Sequence, residues 1–267
     1  MGHRYKGVQR FSLPFKVLGI LDSLSNLITS LFSASEQGAI YIPKPIVLGT
    51  QSLFQDSAGT VPVTADGDPV GRMIDQSGNG NHATQTVSGS RPIYRTDGTL
   101  HWLDGDGVGD SMDHGVSLTA AATISVAASR SIGKDIAEQG LVGITAANDR
   151  LIAHLAAKAT TAGNWGTFSD AWINSGSSIL DKTAVLTITA SGEATNVQTL
   201  YEDNLELMQV TGNYVGDSQN RTRLLREIPT RESEADLYGC LFIERVLSTT
   251  ERQQLEHYLA GLSGVTL

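Results

Sequence analysis

Residues 75–85, Asp-Gln-Ser-Gly-Asn-Gly-Asn-His-Ala-Thr-Gln, decide how this chain reads. Gly78, Asn79, Gly80 and Asn81 are turn formers set between an apolar segment at 70–74 and a strand-like return over 87–94. Asn-Gly pairs favour the positive φ angles that tight reversals need, so the stretch joins two extended segments by a sharp turn. Working outward, Asp-Pro-Val-Gly-Arg (68–72) precedes it, and Arg91-Pro92 and then Leu-His-Trp-Leu-Asp-Gly-Asp-Gly (100–107) follow.

Composition agrees with an all-β reading. A chain of 267 residues with 28 Gly, only 7 Pro and many Ser and Thr suits numerous short strands, and 40% hydrophobic residues supply a core. Period-two runs separated by Gly, Asp and Asn fill the middle of the chain: 123–127, 184–190 and 197–201 are the clearest. Segments 141–144, 151–155, 165–168 and 237–246 are further candidates. Such alternation buries one face of each strand against a second sheet. Asp203-Asn204 reads as a hairpin tip between 197–202 and 205–210, although no glycine is present to define the turn type. The last element reads as a helix: Ser248-Thr-Thr-Glu251 is a capping box, Leu255, Tyr258, Leu259 and Leu262 form one stripe, and Gly261 or Gly264 ends it.

The turn and its flanks, the stretch Leu-Phe-Gln-Asp-Ser-Ala-Gly-Thr-Val-Pro-Val-Thr-Ala-Asp-Gly (53–67), and the closing phrase Phe-Ile-Glu-Arg-Val-Leu-Ser-x-x-Glu-Arg-x-x-Leu-Glu-x-Tyr-Leu-Ala (242–260) together resemble a known family. It is the concanavalin A-like, laminin-G-type jelly rolls common in virion proteins of tailed bacteriophages. The resemblance covers about 50–110 and 235–265. It implies a mainly β, two-sheet antiparallel jelly-roll sandwich over 49–267, a short C-terminal helix, and a separate arm at 1–48. It also implies a non-enzymatic structural module on the virion surface, assembled in the cytoplasm of the bacterial host. A homo-oligomer is expected by analogy, trimers being common among such projections.

Charge divides the chain. Arg4, Lys6, Arg10 and Lys16 precede the first acid, Asp22, so 15 of the 19 basic residues remain against all 28 acidic ones. An acidic body repels phosphates, which argues against specific nucleic-acid binding. The basic arm fits an acidic protein partner better. An amphipathic helix is expected over 17–32, with Leu21, Leu24, Ile28 and Leu31 on its apolar side. Its own sandwich or another subunit could cover that side. The extended basic leader, with Phe15 beside Pro14, favours docking on other virion proteins through 1–48. The polar side carries too few Lys or Arg for a membrane surface, and no run of 18 apolar residues spans one. Residues 38–50, with Pro43 and Pro45, read as an extended connector.

Chemistry is sparse in the sequence. The lone cysteine, Cys240, sits among apolar residues and excludes disulfides within the chain and Cys-based zinc sites. Laminarinase-type relatives of the fold carry Glu-x-Asp-x-x-Glu on one strand. Here the text is Glu234-Ala-Asp236-Leu-Tyr-Gly239, and glycine stands at the final acid, so no catalytic residue and no enzyme is expected. No cofactor motif appears, and the six histidines lack metal spacing. The acidic loop Asp104 to Asp113 has oxygen ligands suited to calcium, but it reads better as a strand-end turn. One patch looks like a lectin: Trp165 and Trp172 with Asn174, in a Gly/Asn/Ser-rich region, suit a host-surface glycan. The plainer reading places Trp165 in the core and leaves Trp172 exposed.

Overall fold

Apolar residues at every second position build two sheets, and their facing sides make the core. The computed structural model describes residues 24–118, 121–130, 138–143, 145–146, 152–156, 164–169, 171–178, 181–192, 196–212, 223–226 and 233–267. The molecule is mainly β, with a helix at each end of the described chain: α1 (Leu24–Leu31) and α2 (Thr249–Ser263). An eight-stranded antiparallel sheet has Ala122–Arg130 at its centre, between Thr183–Ala190 and the closing strand Glu234–Ile243. Asn196–Glu202 and Leu205–Gly212 extend it on one side, His101–Asp106 and Ile93–Thr96 on the other. A nine-stranded sheet runs from Ala171–Ser178 at one edge to Leu53–Phe54 at the other.

The sheets share one core. Ile124, Val126, Leu186 and Ile188 of the first meet Leu53, Met73, Met112, Val142 and Leu224 of the second. The opposite side of the eight-stranded sheet is apolar too. Ile40, Ala127, Val185, Leu241 and Ile243 lie there beneath both helices. A strand buried on both faces loses its polar alternation, and the closing strand accordingly reads as an almost continuous apolar run. A β-bulge at Tyr238 shifts its phase: Ala235 and Leu237 face the core before it, Cys240 and Phe242 after it. Burial holds the Cys240 thiol far above its usual pKa, as suits a small core hydrophobe.

The capping box forms as read, Ser248 Oγ accepting from Glu251 N and Glu251 returning a bond from Ser248 N at 2.9 Å. Gly264 ends the helix at φ 72°. The hairpin tip needs no glycine: Asp203 and Asn204 take φ 50° and 71°, the positive pair of a tight two-residue turn, which these residue types tolerate best.

Two expectations for the N-terminal region are corrected. Residues 38–41 are a strand, not a connector. Gly38–Tyr41 pairs with the closing strand along 240–243, in the lane that His101–Asp106 occupies further along. The apolar stripe is covered by its own chain: Leu24, Leu27 and Leu31 are buried, and Ile28 packs beside them, against the sheet and α2. A short amphipathic helix gains most by covering the apolar face nearest in sequence, and that face is the outer side of its own sheet. Arg4, Lys6, Arg10, Phe15 and Leu21 lie outside the described residues.

The 75–85 turn holds that first strand in place. The buried Asp75 carboxylate accepts from Ile40 N (3.0 Å), Ser77 N and Oγ (2.8 Å each) and Asn81 N (3.1 Å). Asn79 and Asn81 both donate to the Gly38 carbonyl, at 3.1 and 2.9 Å. The Tyr41 hydroxyl donates to the Asn81 carbonyl. His82 is structural, its Nδ1 accepting from Asp75 N at 3.1 Å. Gly38 is obligatory here, because a Cβ would stand 2.0 Å from the Phe242 carbonyl oxygen.

Between the sheets, His114 packs on Tyr41 and Phe242 and meets the Gly143 carbonyl at 3.0 Å. Burial pushes its pKa from 6.5 down to about 4, against a smaller upward pull from the Gly143 hydrogen bond. A depressed imidazole means the fold prefers the neutral form. Its contribution is present above pH 6.5 and is lost as pH falls toward about 4. Urea midpoints should therefore fall between pH 7 and pH 4, with a shallower fall in His114→Gln; equal slopes would refute the assignment. Asp75→Ala strands buried donors worth about 1–3 kcal/mol each, so a loss on the order of 3 kcal/mol is expected by urea denaturation. An unchanged midpoint would contradict the clasp.

Candidate functional site

Helices take one outer face of the sandwich. Among the described residues no helix packs on the outer face of the nine-stranded sheet. Strict alternation explains what that face carries. Leu53, Met73, Met112 and Leu224 point to the core, and their neighbours Phe54, Arg72, Asp113 and Arg223 fall on the other side. With Thr84 they form one cross-strand row, Phe54–Arg72–Thr84–Asp113–Arg223–Gly143, each residue registered opposite the next. Arg223 Nε donates to Asp113 Oδ1 at 2.7 Å, and Arg72 Nη1 donates to the Ala58 carbonyl at 3.3 Å. A neighbouring row registers Gly140 with His154, His154 with Gly166, and Gly166 with Asn174.

The chemistry is that of a polar platform: Phe54, Arg72 and Arg223 are half-buried and Asp113 is exposed, whereas Gly140, Gly143 and Gly166 further along the sheet are buried. Guanidinium groups, a carboxylate and a hydroxyl offer donors and acceptors in line across the strands. Such an array matches hydroxyl pairs on a flat, extended ligand.

The residues singled out from the sequence divide. Trp165 is corrected: it is fully buried, and its Nε1–H donates to Glu202 Oε2 at 2.6 Å from one sheet to the other. Glu202 in turn holds Lys182: burial pulls the Lys182 pKa down, but Glu202 and Asp203 together outweigh it and raise it. Trp165 is a tie between sheets and no ligand platform. Trp172 and Asn174 lie on the edge strand Ala171–Ser178, registered opposite Phe168 and Gly166. The acidic loop closes on itself. Asp106 Oδ1 accepts from Val108, Gly109 and Asp110 amides, and no group of three metal-ligating side chains forms among the described residues. Burial first, then the neighbouring Asp106 charge, push the Asp110 carboxyl up to about 6.

Sequence reasoning missed Arg72, Thr84 and Arg223. They sit in strands of two residues, too short to show a period. A weak signal was available in Asp-Pro-Val-Gly-Arg, whose arginine follows a glycine fitted under strand-end backbone: a Cβ on Gly71 would stand 2.6 Å from the Asp56 carbonyl carbon.

Gly239 has a packing cause. A Cβ there would come within 3.0 Å of Leu262 Cδ1 and 3.3 Å of the Tyr41 carbonyl, so glycine lets α2 seat on the bulged strand. Its presence therefore says nothing about a lost acid. On the same strand Asp236 is registered directly opposite Asp104. Burial, followed by weaker repulsion from Asp104, raises the Asp236 carboxyl, while the Ser129 hydroxyl at 3.0 Å opposes the rise.

No protein-family model matches the chain, and no curated protein matches it by sequence. Solved structures do share the fold. A GH54 α-L-arabinofuranosidase superposes with TM-score 0.60 at 11% identity, over 88% of this chain and 65% of that one. A Trypanosoma rangeli sialidase gives 0.51 at 14%, over 86% and 36%. The botulinum neurotoxin serotype D binding domain gives 0.51 at 10%, over 83% and 52%. This chain thus spans less than two thirds of each neighbour, and at such identities the likeness is one of fold. It overturns the expectation that the chain is no enzyme: the architecture is shared with glycoside hydrolases, and Gly239, the residue on which that expectation rested, is explained by packing.

Trp165→Phe should cost about 1–3 kcal/mol in denaturation, because the buried Glu202 carboxylate loses a donor. A stability equal to wild type would show that the tie carries nothing.

Proposed function

We propose that this chain is a glycan-recognising β sandwich, of concanavalin A-like jelly-roll topology, that reads a polysaccharide on the open face of its nine-stranded sheet. The observation that carries the reading is the registered row Phe54–Arg72–Thr84–Asp113–Arg223, with Trp172 and Asn174 on the edge strand of the same sheet. Sugars need hydroxyl partners and an aromatic surface for their C–H faces, and this strip offers both residue types. The fold neighbours support the class: one structure is an arabinofuranosidase complexed with arabinofuranosyl-α-1,2-xylobiose, at TM-score 0.56 and 11% identity.

The setting we propose is the surface of a tailed-phage virion, as an oligomer, with the host envelope as the source of the glycan. Attachment then rests on the basic residues before α1, since α1 itself is spent on its own sheet. Immunogold labelling of purified particles tests the setting apart from the binding, and unlabelled particles would remove it.

Recognition is tested by retention on immobilised host-surface polysaccharide. Trp172→Ala and Arg223→Ala should each weaken retention about tenfold, equivalent to about 1.4 kcal/mol, with an unchanged melting temperature. Wild-type retention by both variants would sink the reading. Reducing sugar released in the same samples would add hydrolysis to recognition.

A further inference from the structure

We infer that the pocket where the end of α2 meets the helix-covered sheet is a second binding site, one that takes an acidic monosaccharide. The pocket holds about 180 Å³. Pockets for drug-sized ligands run to roughly 300–1,000 Å³, so this one has room for a single sugar ring. Tyr238, Leu262 and Ile42 form its apolar side, and Trp102 backs Tyr238 with ring centroids 5.8 Å apart. Lys44, His101 and Thr99 line the rest. Gly261 adds no side chain, and a Cβ built there would meet nothing within 4 Å, so the wall beside it is open.

The polar groups are unsatisfied in a pattern that selects a ligand. Lys44 has no carboxylate partner among the described residues, in a chain of net charge −9. Its charge reaches the pocket: burial first, and Lys44 next, hold His101 below the ordinary imidazole value. Asp97, whose Oδ1 accepts from Thr99 and Leu100 amides at 2.8 Å each, opposes that effect more weakly than Lys44 exerts it. The Tyr94 hydroxyl occupies His101 Nδ1 at 2.6 Å, which leaves Nε2 for a ligand. On the helix side, Gly264 and Val265 amides both turn to the Ala260 carbonyl. That leaves the Gly261 and Leu262 carbonyls without a backbone donor among the described residues, and the last carbonyls of a helix are acceptors carrying partial negative charge.

A carboxylate answers Lys44, hydroxyl donors answer the helix carbonyls, and a ring with a C–H face answers Tyr238. An inorganic anion has no donors for the carbonyls, and a neutral sugar leaves the ammonium unanswered. A sugar acid satisfies all three. This pocket lies on the helix side of the sandwich, away from the open sheet face, and its occupancy does not depend on glycan binding there.

The test is amide chemical-shift mapping on the full ¹⁵N-labelled chain, with sodium glucuronate, glucose and acetate as separate probes. Glucuronate should shift Thr99, His101 and Gly261 and bind about tenfold more tightly than glucose or acetate. Lys44→Gln, an exposed substitution, should remove that advantage, whereas Trp172→Ala should leave it intact. Equal binding of glucose and glucuronate, no shift at these amides, or full glucuronate binding by Lys44→Gln would each overturn the inference. Methyl glucuronide separates the sources. Binding equal to the free acid supports the end unit of a glycan, and binding of the free acid alone supports a free sugar acid.

Discussion

One buried carboxylate organises the N-terminal side of this molecule. Asp75 takes bonds from the strand at Ile40 and from its own turn at Ser77 and Asn81. A buried charge is costly unless its lone pairs are met, and four donors within about 3 Å meet them. The reward is positional. Gly38–Tyr41 is held against the closing strand where His101–Asp106 no longer reaches, and the chain leading from α1 is fixed over the sheet. Without the clasp, half of one lane beside the central strands would open, and with it the apolar ground on which α1 and α2 rest.

That arrangement makes the two sheets unequal. The eight-stranded sheet is buried on both sides, so its strands serve packing, and even its irregularities do: the bulge at Tyr238 and the glycine after it are fitted to α2. In the nine-stranded sheet the strands at 53–54, 72–73, 83–84, 112–113 and 223–224 are buried on one side only among the described residues. Their other side is free to carry polar residues that the core does not need, and Arg72, Asp113 and Arg223 stand there in register. Stability and recognition are thereby assigned to different surfaces. Where the covered sheet emerges beyond the end of α2, the same packing leaves the small pocket beside Tyr238.

Much of the architecture was legible because it follows from local rules. The runs at 123–127, 184–190 and 197–201 all lie in strands, and the capping box and the turn at 203–204 form as their residue types dictate. What was not legible depends on distant partners. Trp165 read more plainly as core than as a sugar platform, but its role as a tie was hidden because nothing in sequence announces Glu202, an acid on the inward side of an alternating strand. Gly239 looked like a missing catalyst because the side chains that require it, Leu259 and Leu262, lie on a helix later in the chain. The α1 stripe looked like an interface because a stripe does not name its cover. The open-face row was invisible for a simpler reason, since two-residue strands have no period.

The central claim is that ligand meets the open face of the nine-stranded sheet. Hydrogen–deuterium exchange with and without bound host polysaccharide tests it most directly. The account predicts new protection in 72–73, 83–84, 112–113 and 171–178, with the strands beneath α1 and α2 unchanged. Protection confined to the helix-covered side, with those four segments exchanging as in the free protein, would contradict it.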